Sequence, residues 1–184
     1  MIRFATKAEL RSLGQQDTLT EDVILAKARR AIVASSTFLS HSSADAREVA
    51  GAVQLLENHG AKVYIDKRDA TLPPYTSEET ADALKKQIYE SRRFVMLASK
   101  NSQQSKWVPW ELGLADGVKT LKNIALLPAS DSEDDTTWTS WEYLGLYRRI
   151  VFGDLPGVPG PVWMVQDTKK NIATELRKWL TALP

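Results

Sequence analysis

Apolar runs of strand length, alternating with stretches of helical spacing, constrain this chain more than any other feature. The runs are Thr37-Phe38-Leu39-Ser40, Ala61-Lys62-Val63-Tyr64-Ile65, Arg93-Phe94-Val95-Met96-Leu97-Ala98, Asn123-Ile124-Ala125-Leu126-Leu127 and Arg149-Ile150-Val151-Phe152. Between the first two, Val49, Val53 and Leu56 line one face of a helix that Ser42 or Ser43 caps and Gly60 stops. Thr76-Ser77-Glu78-Glu79 fits a capping box that opens a second helix, with Ala81, Leu84 and Ile88 inward, and Trp107 to Val118 is a third. Strands that are almost continuously apolar and alternate with helices point to a parallel sheet covered on both faces. Right-handed crossovers then make it doubly wound. The expected architecture is a single α/β domain with a doubly wound parallel sheet of about five strands.

The remaining segments are less periodic. Residues 1 to 35 look like a helical extension, which leaves 36 to 184 as the domain, most readable from 36 to 127. Pro73-Pro74 makes the segment from Lys67 to Tyr75 an exposed loop. Lys100 to Ser105 reads as a polar loop, Asp131 to Thr137 as an acidic one, Trp138 to Tyr147 as a short helix and Gly153 to Pro161 as irregular. A closing helix is expected from Thr168 to Leu180, with Ile172, Leu176 and Leu180 inward.

Composition removes whole classes of function. With no cysteine, disulfides, zinc–thiolate sites and cysteine nucleophiles are excluded, and two histidines, His41 and His59, leave little for a transition metal. The expectation is no metal. Lys plus Arg number 24 against 23 for Asp plus Glu, and the basic pairs are scattered, so there is no electrostatic case for nucleic acid. No apolar run approaches membrane-spanning length and no signal-type core opens the chain, so a cytoplasmic protein is expected.

In an open α/β sheet, ligands bind beyond the carboxyl ends of the strands. The residues expected there are Ser40, His41 and Ser42 after the first strand, Asp66 to Asp69 (Arg68 among them) after the second, and Ser99 to Asn101 after the third. Trp107 and Glu111 follow, and their i, i+4 spacing puts an indole and a carboxylate on one helix face. That pair suits a ligand with a planar base and a sugar carbon that becomes cationic, as in a nicotinamide dinucleotide. No glycine fingerprint of dinucleotide oxidoreductases is present, so such a ligand would be consumed as a substrate rather than held as a cofactor. Ordinary glycosides need an acid as well as a second carboxylate. The pyridinium of NAD+ leaves as a neutral amide, so one carboxylate that stabilises the ribosyl cation suffices. Glu111 is therefore the candidate catalytic residue, with Trp107, Phe38, Ser40, His41, Ser42, Asp66, Arg68 and Tyr75 as candidate substrate contacts. Each has a plainer reading: Phe38 and the tryptophans as core, Asp66 as a turn residue, Arg68 and Tyr75 as solvated loop side chains. No nucleophile-elbow sequence accompanies His41, which argues against a Ser-His-acid triad.

Three of these segments carry a family resemblance. Phe38-Leu39-Ser40-His41-Ser42 before a helix resembles the first box of Toll/interleukin-1 receptor (TIR) domains. Val63-Tyr64-Ile65-Asp66 with its proline-bearing extension is similar to their second strand and the loop after it, and Trp107-x-x-x-Glu111 to the motif of their enzymatically active members. The resemblance implies a flavodoxin-like sheet and cleavage of NAD+ to nicotinamide and linear or cyclic ADP-ribose. It further implies a homo-oligomer formed through the Lys67 to Tyr75 loop, and a role in antiphage defence of the Thoeris type, where the product signals to a downstream effector. Two other functions remain open: a non-catalytic TIR module acting by self-association, and an N-glycosidase resembling nucleoside deoxyribosyltransferases.

Overall fold

The run Thr37–Ser40 forms a fully buried strand, β2, because neighbours on both sides and helices on both faces leave none of its side chains in water. The computed structural model describes residues 2–15, 20–66, 78–133, 135 and 145–183. The expected sites Arg68 and Tyr75, the Lys67 to Tyr75 loop, the first half of the Thr76 to Glu79 capping box, and the Trp138 to Tyr147 helix up to residue 144 lie outside them.

In chain order the elements are β1 (Ala5–Thr6), α1 (Lys7–Gln15), α2 (Glu21–Arg29), β2, α3 (Ala46–Asn58), β3 (Val63–Tyr64), α4 (Glu78–Glu90), β4 (Arg93–Ala98), α5 (Lys100–Gln104), α6 (Trp107–Val118), β5 (Ile124–Ser130), β6 (Arg148–Asp154), β7 (Pro161–Asp167), β8 (Ile172–Glu175) and α7 (Leu176–Thr181). The sheet runs β3-β2-β4-β5-β6-β7-β8, with the first five strands parallel. Counted from Thr37, that parallel part has the flavodoxin order 2-1-3-4-5.

Alternation along each strand divides the core into two layers. Leu39, Val95, Leu97, Ala125 and Leu127 pack with α1, α2, α3 and α7 on one face. Phe38, Tyr64, Phe94, Met96, Ile124 and Leu126 pack with α4 and α6 on the other. Ser40 has the parity of Phe38, so the pleat sends it toward α6.

The structure departs from the expected elements in four places. The N-terminal segment contains the expected helices but is also woven into the sheet: β1 pairs with the end of β5, and Arg3 exchanges two backbone hydrogen bonds with Phe152 of β6. Helix α1 lies so close on α3 that a Cβ on Gly51 would stand 1.7 Å from the Leu10 carbonyl oxygen. Pro128 sits inside β5, in the gap between the residues that pair with β6 and those that pair with β1, where a missing N–H interrupts no ladder on that side. Lys100–Gln104 is a helix, not a loop, because the hydroxyl of Ser99 accepts from the Ser102 N–H while the Ser102 hydroxyl accepts from the Ser99 N–H.

The C-terminal region differs most. The expected helix from Thr168 to Leu180 is strand β8 followed by the six-residue α7, and Leu176 and Leu180 are buried while Ile172 is exposed. The i, i+4 spacing of those three residues is genuine, but Asn171 adopts a positive φ of 51° that turns the chain from β7 into β8. With β7 and β8 antiparallel at one edge and β1 added beside β5, the sheet has eight strands around the expected parallel five.

Candidate active site

Strand order reverses between β2 and β4, so their carboxyl ends form the crevice of this sheet. Helix α6 delivers the acid there. Ser105 opens the helix, its hydroxyl accepting from the Trp107 N–H at 3.2 Å and from the Val108 N–H at 3.3 Å. Pro109 falls in the first turn, where the N–H groups have no intrahelical partner in any case. The helix therefore starts at Trp107, and Glu111 follows one full turn later.

Glu111 is 7% exposed and Ser40 1% exposed. The Ser40 hydroxyl donates to Glu111 Oε2 at 2.5 Å, across 71 positions of sequence. A charge-assisted O–H···O⁻ bond of this length is among the strong ones, and it fixes the carboxylate at the carboxyl end of β2. Trp107 and Trp110 meet edge to face, with ring centroids 5.4 Å apart at 80°. Both are half-buried against the α4/α6 layer of the core, so each indole combines a packed part with an accessible part.

The other expected contacts have different fates. Phe38 is a core residue, completely buried, with its ring stacked 5.6 Å from Phe94 and tilted 5.7 Å from Tyr64. This corrects its reading as a substrate contact: the alternation that sends Ser40 toward α6 drives Phe38 into the aromatic layer below. Ser42 is used in capping, accepting from the Ala44 N–H at 3.4 Å and, through its carbonyl, from Asp45 N–H at 3.0 Å. The Ala44 and Asp45 N–H groups at the start of this turn are thereby occupied. His41 is half-buried, with Nδ1 3.2 Å from the Leu39 carbonyl, a contact that only an Nδ1–H can make as a hydrogen bond. Burial lowers its pKa against the opposing pull of that bond and of Asp45 and Asp66, so the ring is neutral at pH 7. Asp66 is half-buried just past β3, close enough for its charge to act on His41.

A second carboxylate at the crevice was missed in the sequence. Asp45, 1% exposed, accepts from the Ser99 hydroxyl at 2.5 Å and from Asn101 Nδ2 at 2.6 Å. It ties the turn before α3 to the end of β4. The available signal was its place beside two candidate caps, Ser42 and Ser43, opposite polar residues already expected at the end of the third run. Among the described residues no group of three or more His, Asp and Glu side chains could hold a metal ion, and no helix is long and apolar enough to cross a membrane.

A buried carboxylate anchored at the switch point, with an indole one turn before it, can oppose a cation that develops on a sugar carbon while a flat ring is held alongside. Comparison with known proteins adds lineage to this geometry. Residues 37–156 match the TIR domain family model. Over 146 residues, covering 78% of this chain and 74% of its relative, the sequence is 35% identical to a probable 3′ cyclic ADP-D-ribose synthase, ThsB′, of Bacillus cereus strain MSX-D12. With five parallel strands in flavodoxin order and the matched residues covering most of the chain, this protein belongs to the TIR domain family.

Proposed function

We propose that this protein cleaves the nicotinamide–ribose bond of NAD+ and closes the ADP-ribosyl product into cyclic ADP-ribose, as the name of its Bacillus cereus relative describes for that enzyme. The observation that carries the reading is the Ser40–Glu111 bond, which holds a nearly dry carboxylate at the switch point one turn after Trp107. In the reaction the C1′–N bond breaks and its electron pair leaves with neutral nicotinamide. Glu111 opposes the positive charge on the ribosyl carbon. A hydroxyl of the same ADP-ribose then attacks C1′, and its proton passes to the carboxylate and on to solvent. Water attacking instead would give linear ADP-ribose. Trp107 offers the planar surface for the departing ring, and His41, neutral and fixed by the Leu39 carbonyl, adds a polar wall without a competing charge.

At about 4 Å and an effective dielectric near 20, one carboxylate stabilises a unit positive charge by about 4 kcal/mol. That corresponds to roughly a thousandfold in rate. Glu111→Ala is therefore expected to lower nicotinamide release by about that factor. Mass spectrometry of NAD+ incubated with wild type and variant tests this and reports whether the product is cyclic or linear. Equal nicotinamide release by the two proteins would refute the assignment. The same reading places the protein in antiphage defence, acting as a homo-oligomer through the Lys67 to Tyr75 loop and signalling through its product to a downstream effector.

A further inference from the structure

The amino ends of the strands carry a second polar cluster, made of cations. A cavity of about 480 Å³ lies there, with Arg92, Lys119, Thr120 and Asn123 in its lining and Glu90 as a carboxylate in its wall. It is separated from Ser99 by the length of β4, about 17 Å for six residues. Arg92, neighbouring Arg93 and Lys119 form no ion pair among the described residues, and Glu90 lies 3.8 Å from Lys86 instead.

The three cations are held by neutral acceptors. Lys119 Nζ donates to the Ser91 carbonyl at 2.5 Å and the Tyr89 carbonyl at 3.4 Å, at the end of α4. Arg92 Nη2 donates to the carbonyls of Thr181, at 2.7 Å, and Ala182. Arg93 donates to the Trp179 and Ala182 carbonyls at 3.1 and 3.0 Å, and to Asn123 Oδ1. Helix ends supply about half a negative charge each, less than three full positive charges require. Burial and then the charge of Arg93 lower the Lys119 ammonium to a pKa of about 8, and the Arg92 Nε–H is buried without an acceptor. An uncompensated buried donor beside a mutually repelling cluster is a site prepared for an anion.

We propose that this cavity binds a small phosphate ester or pyrophosphate, contacted by Arg92 and Lys119. A guanidinium next to an ammonium suits an anion that presents several oxygens in different directions, and the cavity has the size of known small-ligand pockets, roughly 300–1,000 Å³. Binding neutralises the cluster and so stabilises the packing of α4, α6 and α7 around it.

The test is calorimetric titration of the whole protein with sodium pyrophosphate at constant ionic strength, alongside thermal melts. Saturable binding and a raised melting midpoint are expected. Arg92→Met and Lys119→Met should each weaken binding about tenfold, the effect of one charge-assisted contact. Lys119→Arg should retain binding, and Lys85→Met, at an exposed position outside the cavity where its partner is Asp82, should leave it unchanged. Absence of saturable binding overturns the proposal. So does undiminished binding by a folded Arg92→Met protein, which would place the anion elsewhere, including the crevice at Glu111.

Discussion

Replacing Ser40 by alanine removes one oxygen, and with it the only hydroxyl that β2 presents to Glu111. The bond is 2.5 Å long, its acceptor is a carboxylate, and both residues are buried, so the upper part of the hydrogen-bond range applies: about 1.5–3 kcal/mol for a bond to a charged group. If the bond serves to hold Glu111 where the ribosyl charge develops, that loss falls on the transition state. Turnover should drop by about tenfold at the low end and about a hundredfold at the high end. KM for NAD+ should change little, because a positioning residue makes no contact with the ground-state substrate. The same loss leaves a buried carboxylate short of a donor, and at about 2–4 °C per kcal/mol for a domain of this size the melting midpoint should fall by about 3–12 °C. Nicotinamide release measured over a range of NAD+ concentrations separates the cases. A rise in KM at constant kcat would mean that Ser40 touches substrate and does not act through Glu111. Wild-type kinetics with a lowered melting midpoint would mean that the bond holds the fold alone.

Two further outcomes follow from packing and protonation. Gly51→Ala places a methyl group 1.7 Å from the Leu10 carbonyl oxygen, and since both atoms belong to backbone, α1 and α3 must separate; destabilisation of about 3 kcal/mol or more is expected in a denaturant titration, and a cost under about 1 kcal/mol would contradict the close approach. His41 has its pKa lowered by burial, so the unfolded chain takes up the proton first as pH falls below about 6.5; the stability that His41 contributes is present above that pH and lost below it. Melting midpoints followed from pH 8 to pH 5 should therefore fall more steeply for wild type than for His41→Gln, and parallel curves would show that the imidazole is solvated.

What could be read from the sequence follows from how local each feature is. The parallel core was legible because β2, β4 and β5 are buried on both faces and write that environment as unbroken apolar runs. The end of α3 was legible through Gly60, whose φ of 90° favours a residue without Cβ. Strand β1 was not, since two residues, Ala5 and Thr6, carry no period, and their pairing partner lies more than 120 positions away. The β7–β8 hairpin was hidden by a coincidence: Ile172, Leu176 and Leu180 keep helical spacing although the first lies on a strand. At the crevice, Trp107 and Glu111 were legible from spacing within one helix. The partners of Glu111 and Asp45 were not, because Ser40 and Ser99 meet them only after β2 and β4 come to lie side by side.

Those two carboxylates tie the crevice from opposite faces. Asp45 precedes α3 and accepts from residues at the end of β4, while Glu111 belongs to α6 and accepts from the end of β2, so each ties its helix to the carboxyl end of one of the two strands that border the crevice. Their environments assign them different work. Asp45 has both oxygens bonded to protein donors at 2.5 and 2.6 Å and is 1% exposed, an arrangement that leaves no approach for a substrate and makes it a structural clamp on the α3 side. Glu111 stands beside an indole that is part accessible and keeps more contact with solvent at 7%. A carboxylate that is to meet a transient cation needs to be fixed enough to be preorganised and open enough to be reached, and of the two acids Glu111 fits the proposed role better. The clamp at Asp45 contributes indirectly, by holding the Ser99–Ser105 segment from which α6, and therefore Glu111, is launched.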